Sequence, residues 1–123
     1  MVCYRIIRSR IWTSRVLEVS DRVKSVGQFK NYFPKQEGIE FIFDTENNIF
    51  LVGKVKPPRF MSPHESLVNL IAPGEIGKSR YVGGMFQRDG NNILTTEHSG
   101  HYGHNWTDQN RVQFKEFMKK RLD

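Results

Sequence analysis

Twice in this chain of 123 residues a β-rich apolar run stops at a short polar segment and comes back as a second such run. Residues 39–43, Ile-Glu-Phe-Ile-Phe, lead into Asp44-Thr45-Glu46-Asn47-Asn48 and then into residues 49–55, Ile-Phe-Leu-Val-Gly-Lys-Val. Residues 81–86 and 92–96 flank Asp89-Gly90 in the same way. Asn, Asp and Gly accept the backbone that tight turns impose, so each pair reads as a hairpin. Hairpins place consecutive strands antiparallel, whereas a parallel sheet would need a helical crossover between them. With helical patterns on the flanks, this arrangement predicts an α+β fold, an antiparallel sheet of about four or five strands with helices packed on one side.

Those helices have their own local signals. Ser62-Pro63-His64-Glu65 is a capping box with proline at the first helical position, followed by Leu67, Leu70 and Ile71. A short helix is predicted there, ending before Pro73-Gly74. Pro57-Pro58 closes the preceding hairpin, because proline cannot donate into a ladder. Residues 107–122 form a last helix capped by Thr107, with Phe114, Phe117, Met118 and Leu122 on its apolar face and Lys115, Lys119, Lys120 and Arg121 on the other. Such a basic face suits a helix C-terminus and needs no nucleic acid to explain it. Earlier in the chain, residues 4–12 read as a strand. Val16, Val19, Val23, Val26 and Phe29 recur at a spacing that predicts a helix over 16–32, weakened by Gly27.

The length suits one domain, 1–123, and no internal repeat divides it. No segment is apolar for long enough to span a membrane. The basic opening MVCYRIIRSRIWTSR lacks the apolar core of a secretory signal, so export would need another carrier. Cys3 is the single cysteine, which excludes an internal disulfide and a multi-cysteine zinc site. Nineteen Lys and Arg against thirteen Asp and Glu leave a formal charge of +6. That excess favours polyanions, nucleic acid first, although solubility or an acidic protein partner accounts for it as well.

Three of the four histidines lie in EHSGHYGHNW, residues 97–106. Their spacing of three would align them on a helix, but Gly100 and Gly103 interrupt them and no ligand motif specifies a metal. A glycine-flanked loop presenting Ser99, His101 and Tyr102 instead offers a hydroxyl, an imidazole and a phenol together, groups suited to acid–base chemistry on a phosphodiester. The fourth, His64, falls in the first turn of the capped helix, where unpaired N–H groups disfavour an imidazolium and bias the ring towards the base role. An exposed first-turn histidine with no task is the plainer alternative. His98 and His104 read as surface or supporting residues.

Metal-free RNA cleavage would divide the work between two histidines. One takes the proton from a ribose 2′-OH and the other donates to the leaving 5′-oxygen. Arg80, Lys78, Thr95, Ser99 and Tyr102 are the candidates for binding the substrate and steadying the charged phosphorane. No metal and no cofactor enter this scheme.

Gly83-Gly84, then Asp89-Gly90-Asn91-Asn92-Ile93, Ser99-Gly100-His101-Tyr102, Trp106-Thr107 and a phenylalanine-rich terminal helix together resemble C-terminal toxin domains of bacterial polymorphic toxin systems. Those domains carry an upstream His-x-x-Leu motif, matched by His64-Glu65-Ser66-Leu67. The resemblance covers residues 58–123. It implies a metal-independent RNase of the broad barnase, EndoU, colicin and RelE-like group, with His64, Ser99 and His101 as functional positions. It further implies RNA as substrate, tRNA among the candidates, and a cognate acidic immunity protein as partner. Delivery would be by a specialised system or within a larger toxin, with action in the target-cell cytoplasm. Two other classes compete. An ADP-ribosyltransferase toxin using NAD would draw on Tyr4-Arg5, Thr95-Thr96 and Glu97, and a non-catalytic RNA- or partner-binding module would need none of the histidines.

Overall fold

The computed structural model describes residues 3–8, 15–20, 38–53, 61–89 and 92–122. Among these residues six strands form one antiparallel sheet: β1 (Cys3–Arg8), β2 (Arg15–Ser20), β3 (Ile39–Asp44), β4 (Ile49–Gly53), β5 (Tyr81–Asp89) and β6 (Asn92–Thr95), in the spatial order β1-β2-β4-β3-β5-β6. Among the described residues two α-helices accompany it, α1 (Pro63–Ile71) and α2 (Asp108–Leu122). The α+β class and the antiparallel sheet are those the hairpin pattern implies.

Both hairpins form where the sequence places them, β3–β4 and β5–β6. At the first turn, Asp44 Oδ1 accepts from the amides of Glu46 (3.0 Å) and Asn47 (3.3 Å), and Asn48 takes the left-handed conformation at φ 52°. Asn adopts that region more readily than most residues, so the turn needs no glycine.

The helices do not share a side. Period-two alternation sends Phe41, Phe43, Phe50, Val52, Val82 and Phe86 to one face, where Trp106, Phe114, Phe117 and Met118 cover them. Ile42, Ile49, Leu51 and Tyr81 go to the other, under Leu67 and Val68 of α1 and the ring of Tyr102. The expectation of helices packed on one side is corrected for a physical reason. The central strands are apolar on both faces, with Phe41, Ile42, Phe43, Phe50, Leu51 and Val52 all inaccessible to solvent, so each face requires its own cover.

The same two-sided burial overturns the helix predicted over 16–32. Residues 16–20 belong to β2, held between β1 and β4, with Leu17 and Val19 facing the α2 core and Val16 the α1 core. A strand buried on both faces shows apolar residues at mixed spacings, and over so few positions these mimic a helical stripe. Residues 21–32 of that prediction, and 9–12 of the first strand, lie outside the described residues.

Candidate active site

On the α1 face of the sheet, the capping box of the first helix sets the geometry. Ser62 Oγ accepts from Glu65 N (3.2 Å), Glu65 Oε1 accepts from Ser62 N (2.9 Å), and Pro63 occupies the first turn. This reciprocal pair satisfies two groups that a helix start would otherwise leave bare. It also fixes His64 and Glu65, which reach in different directions. His64 is buried, 7% exposed, and its Nε2–H donates to the Gly84 carbonyl of β5 at 2.8 Å. A carbonyl can only accept, so the proton of the neutral ring sits on Nε2 and Nδ1 is left as the acceptor.

Burial holds the His64 ring below its ordinary pKa of 6.5, and the positive charge of a protonated His101 works in the same direction. The Gly84 carbonyl and the carboxylate of Glu40 oppose the shift without cancelling it. His64 is therefore neutral at physiological pH, the state a general base requires.

Two glycines in β5 make room for this arrangement. A Cβ on Gly84 would lie 1.7 Å from the Thr96 carbonyl oxygen, an overlap no side chain survives. A Cβ on Gly83 would sit 3.1 Å from His64 Cδ2 and 3.4 Å from Ser99 Oγ, so the His64 ring and the serine border the same small space. The Gly83 carbonyl accepts from Trp106 Nε1 at 2.8 Å, anchoring the segment that follows the glycine-rich loop.

That loop is built by its own hydrogen bonds. Thr96 Oγ1 accepts from Met85 N (3.1 Å) and His98 N (3.2 Å), and Ser99 Oγ accepts from Tyr102 N (3.1 Å). Among the described residues Ser99 Oγ only accepts, so its O–H can donate elsewhere. His101 is exposed, and its Nε2 stands 3.4 Å from Glu65 Oε1, the atom that also closes the capping box. One glutamate thus ties the second histidine to the helix turn that carries the first.

His64 and Ser99 are brought to Gly83, and His101 to Glu65 on the turn of α1 that carries His64. The residues chosen to bind substrate are not. Tyr102 is 2% exposed, its ring edge-on to Tyr81 at 6.3 Å, and its hydroxyl donates to the Ile76 carbonyl at 2.7 Å, where burial pushes its pKa up. It is a strut under the loop. Arg80 pairs with Asp44 (3.6 Å) and Glu46 (3.3 Å), and with Lys78 it lines a separate open depression alongside Thr45, Glu46, Glu75 and Ser79. Thr95 is paired with Phe86, so its side chain is on the α2 face, away from the histidines. His98 and His104 are exposed. Glu97, the acid of the transferase alternative, is gripped by both Arg111 Nε (2.7 Å) and Nη2 (2.9 Å), which holds its carboxyl below the usual range. The side chain of Arg5 lies outside the described residues.

A family model described as bacterial toxin 43 matches residues 12–115, a span that takes in His64, His101, Glu40, Glu65 and Ser99. The chain belongs to the bacterial toxin 43 family. No curated protein and no solved structure matches it. Membership makes this a bacterial toxin domain and carries the toxin resemblance of residues 58–123 back across most of the first half. Among the described residues of the toxin domain, no helix is long and apolar enough to cross a membrane.

Two acids of this toxin domain escape a reading by motif. Glu65 registers only as half of a capping box, and its contact with His101 depends on a loop far along the chain. Glu40 is a single charge inside Ile-Glu-Phe-Ile-Phe. A charged residue interrupting an apolar strand is a detectable signal, since its burial has to be compensated.

Proposed function

We propose that this toxin domain is a metal-independent ribonuclease that cleaves RNA through acid–base catalysis by His64 and His101. One observation carries the reading: the first turn of α1 bears one imidazole, His64, buried and held neutral, and through Glu65 it holds a second from a distant part of the chain, His101, exposed beside that carboxylate. His64 Nδ1 accepts the proton of a ribose 2′-OH as that oxygen attacks phosphorus in line. His101 donates a proton to the departing 5′-oxygen, so the products are a 2′,3′-cyclic phosphate and a free 5′-hydroxyl. Ser99 offers its O–H to a non-bridging oxygen.

The net charge of +6 supports a polyanionic target, tRNA among the candidates, and equally an acidic immunity protein that protects the producing cell. Lys115, Lys119 and Lys120 stand exposed on α2 as a surface for either. Action would follow delivery to the target-cell cytoplasm by a specialised system or within a larger toxin.

The test is incubation of the purified protein with a defined oligoribonucleotide in the presence of EDTA, with and without NAD. Scission independent of NAD and of metal, leaving cyclic phosphate ends, is the expected result. His64→Ala and His101→Ala should each lower the rate by about 10²–10⁴-fold, the usual contribution of a positioned acid or base. Undiminished cleavage by His101→Ala refutes the assignment, and NAD-dependent modification without scission favours the transferase.

A further inference from the structure

β3 presents three side chains to the α1 face: Glu40, Ile42 and Asp44. The carboxylate of Asp44 is fully engaged, by the amides of Glu46 and Asn47, by Asn47 Nδ2 at 2.9 Å and by Arg80. Glu40 differs. Its Oε2 is buried, yet among the described residues it has no hydrogen-bond partner. A buried carboxylate oxygen without a donor costs free energy, and such a group persists where it has a task.

Its position indicates the task. Glu40 pairs in register with Met85, and Ile42 with Gly83, so Glu40 lies diagonally across from the glycine over which the His64 ring sits. Three titratable groups face or adjoin that ring among the described residues. Glu40 approaches from β3 and His101 from the loop after β6. Glu65 adjoins it on α1, but its Oε1 is already occupied by Ser62 N and His101. Glu40 is thus the acid left to answer a charge on His64.

We infer that Glu40 is the counter-charge for the imidazolium that forms at His64 when it takes up the substrate's proton. This rests on the acid–base reading above. The proton arrives on Nδ1 while Nε2–H stays on the Gly84 carbonyl, so a positive charge appears in a buried ring at a helix N-terminus, where burial and helix dipole both oppose it. The Glu40 carboxylate offsets that charge without touching the substrate. It is a positioning residue that acts through His64, and its unpartnered oxygen leaves it free to respond when the ring becomes charged.

The decisive measurement is the NMR titration of the His64 ring in the folded protein, in wild type and Glu40→Gln, alongside the pH profile of kcat/KM on the oligoribonucleotide. Loss of the counter-charge should move the His64 titration to lower pH, and the acidic limb of kcat/KM with it. In the same variant kcat should fall about tenfold or more, with KM little changed, as expected for a weakened general base. Glu40→Asp should recover part of both effects, and Glu40→Leu serves in its place if Gln disturbs folding. A His64 titration identical in wild type and Glu40→Gln overturns the inference whatever the activity. If the wild-type protein leaves RNA intact while His64 still shifts, the ribonuclease reading falls and the Glu40–His64 pairing stands.

Discussion

Replacing Gly84 with alanine sets one methyl group against the rigid frame of the site. The added Cβ would lie 1.7 Å from the Thr96 carbonyl oxygen, 2.6 Å from its carbonyl carbon and 3.1 Å from the Phe41 ring. Contact between carbon and oxygen needs roughly 3.2 Å or more, so β5 and the segment leaving β6 must separate by about 1.5 Å. The obstacle is backbone, tied down by Thr96 N to Met85 O at 2.9 Å, and no rotamer change relieves it. Overpacking of this kind costs about 3 kcal/mol, the upper end of the usual range, or more. In a domain of this size that corresponds to a fall in Tm of roughly 10–15 °C. Thermal unfolding followed by circular dichroism, with wild type and Gly83→Ala run in parallel, measures it. Gly83→Ala meets its nearest neighbours at 3.1–3.4 Å, one of them the tip of His64, and should cost far less stability while displacing the His64 ring. A Gly84→Ala protein melting within about 2 °C of wild type would refute the packing argument, since that shift corresponds to well under 1 kcal/mol.

Stability should also depend on pH through His64. Its folded pKa lies below the unfolded value of 6.5, so its contribution is complete above that pH and is lost as pH falls from 6.5 towards the folded value, where the unfolded chain binds a proton that the native ring refuses. His64→Gln, which can still donate to Gly84 O, should flatten the Tm profile over that interval; parallel profiles for the two proteins would contradict the burial argument. Ser62→Ala removes the acceptor for Glu65 N and should destabilise the fold by about 1 kcal/mol, read by urea denaturation. Because His64 and Glu65 both stand on that turn, cleavage should fall by more than the small loss of folded protein explains, and an unchanged rate would mean the turn does not position them.

What could be read from the sequence was what neighbouring residues settle among themselves. Ser62-Pro63-His64-Glu65 starts α1 because its capping bonds close within four residues, and Thr107 caps α2 through Asn110 N at 3.1 Å for the same reason. The two hairpins form because their turn residues and flanking β-rich runs agree locally. The candidate pair His64 and His101 was visible as chemistry, through residue type, flanking glycines and a helix start.

Tertiary structure decided everything that depends on which surfaces meet. It made residues 16–20 a strand buried on both faces, put α1 and α2 on opposite sides of the sheet, and took Arg80 and Lys78 to a different depression from the histidines. It alone joined His101 to Glu65 and set Glu40 diagonally across the sheet from the glycine under His64. Hydrogen-bonding and rotamer preferences act over a few residues and are therefore written in the local sequence. Strand order and the convergence of side chains arise from burying both faces of one sheet at once, a condition that only the whole chain satisfies.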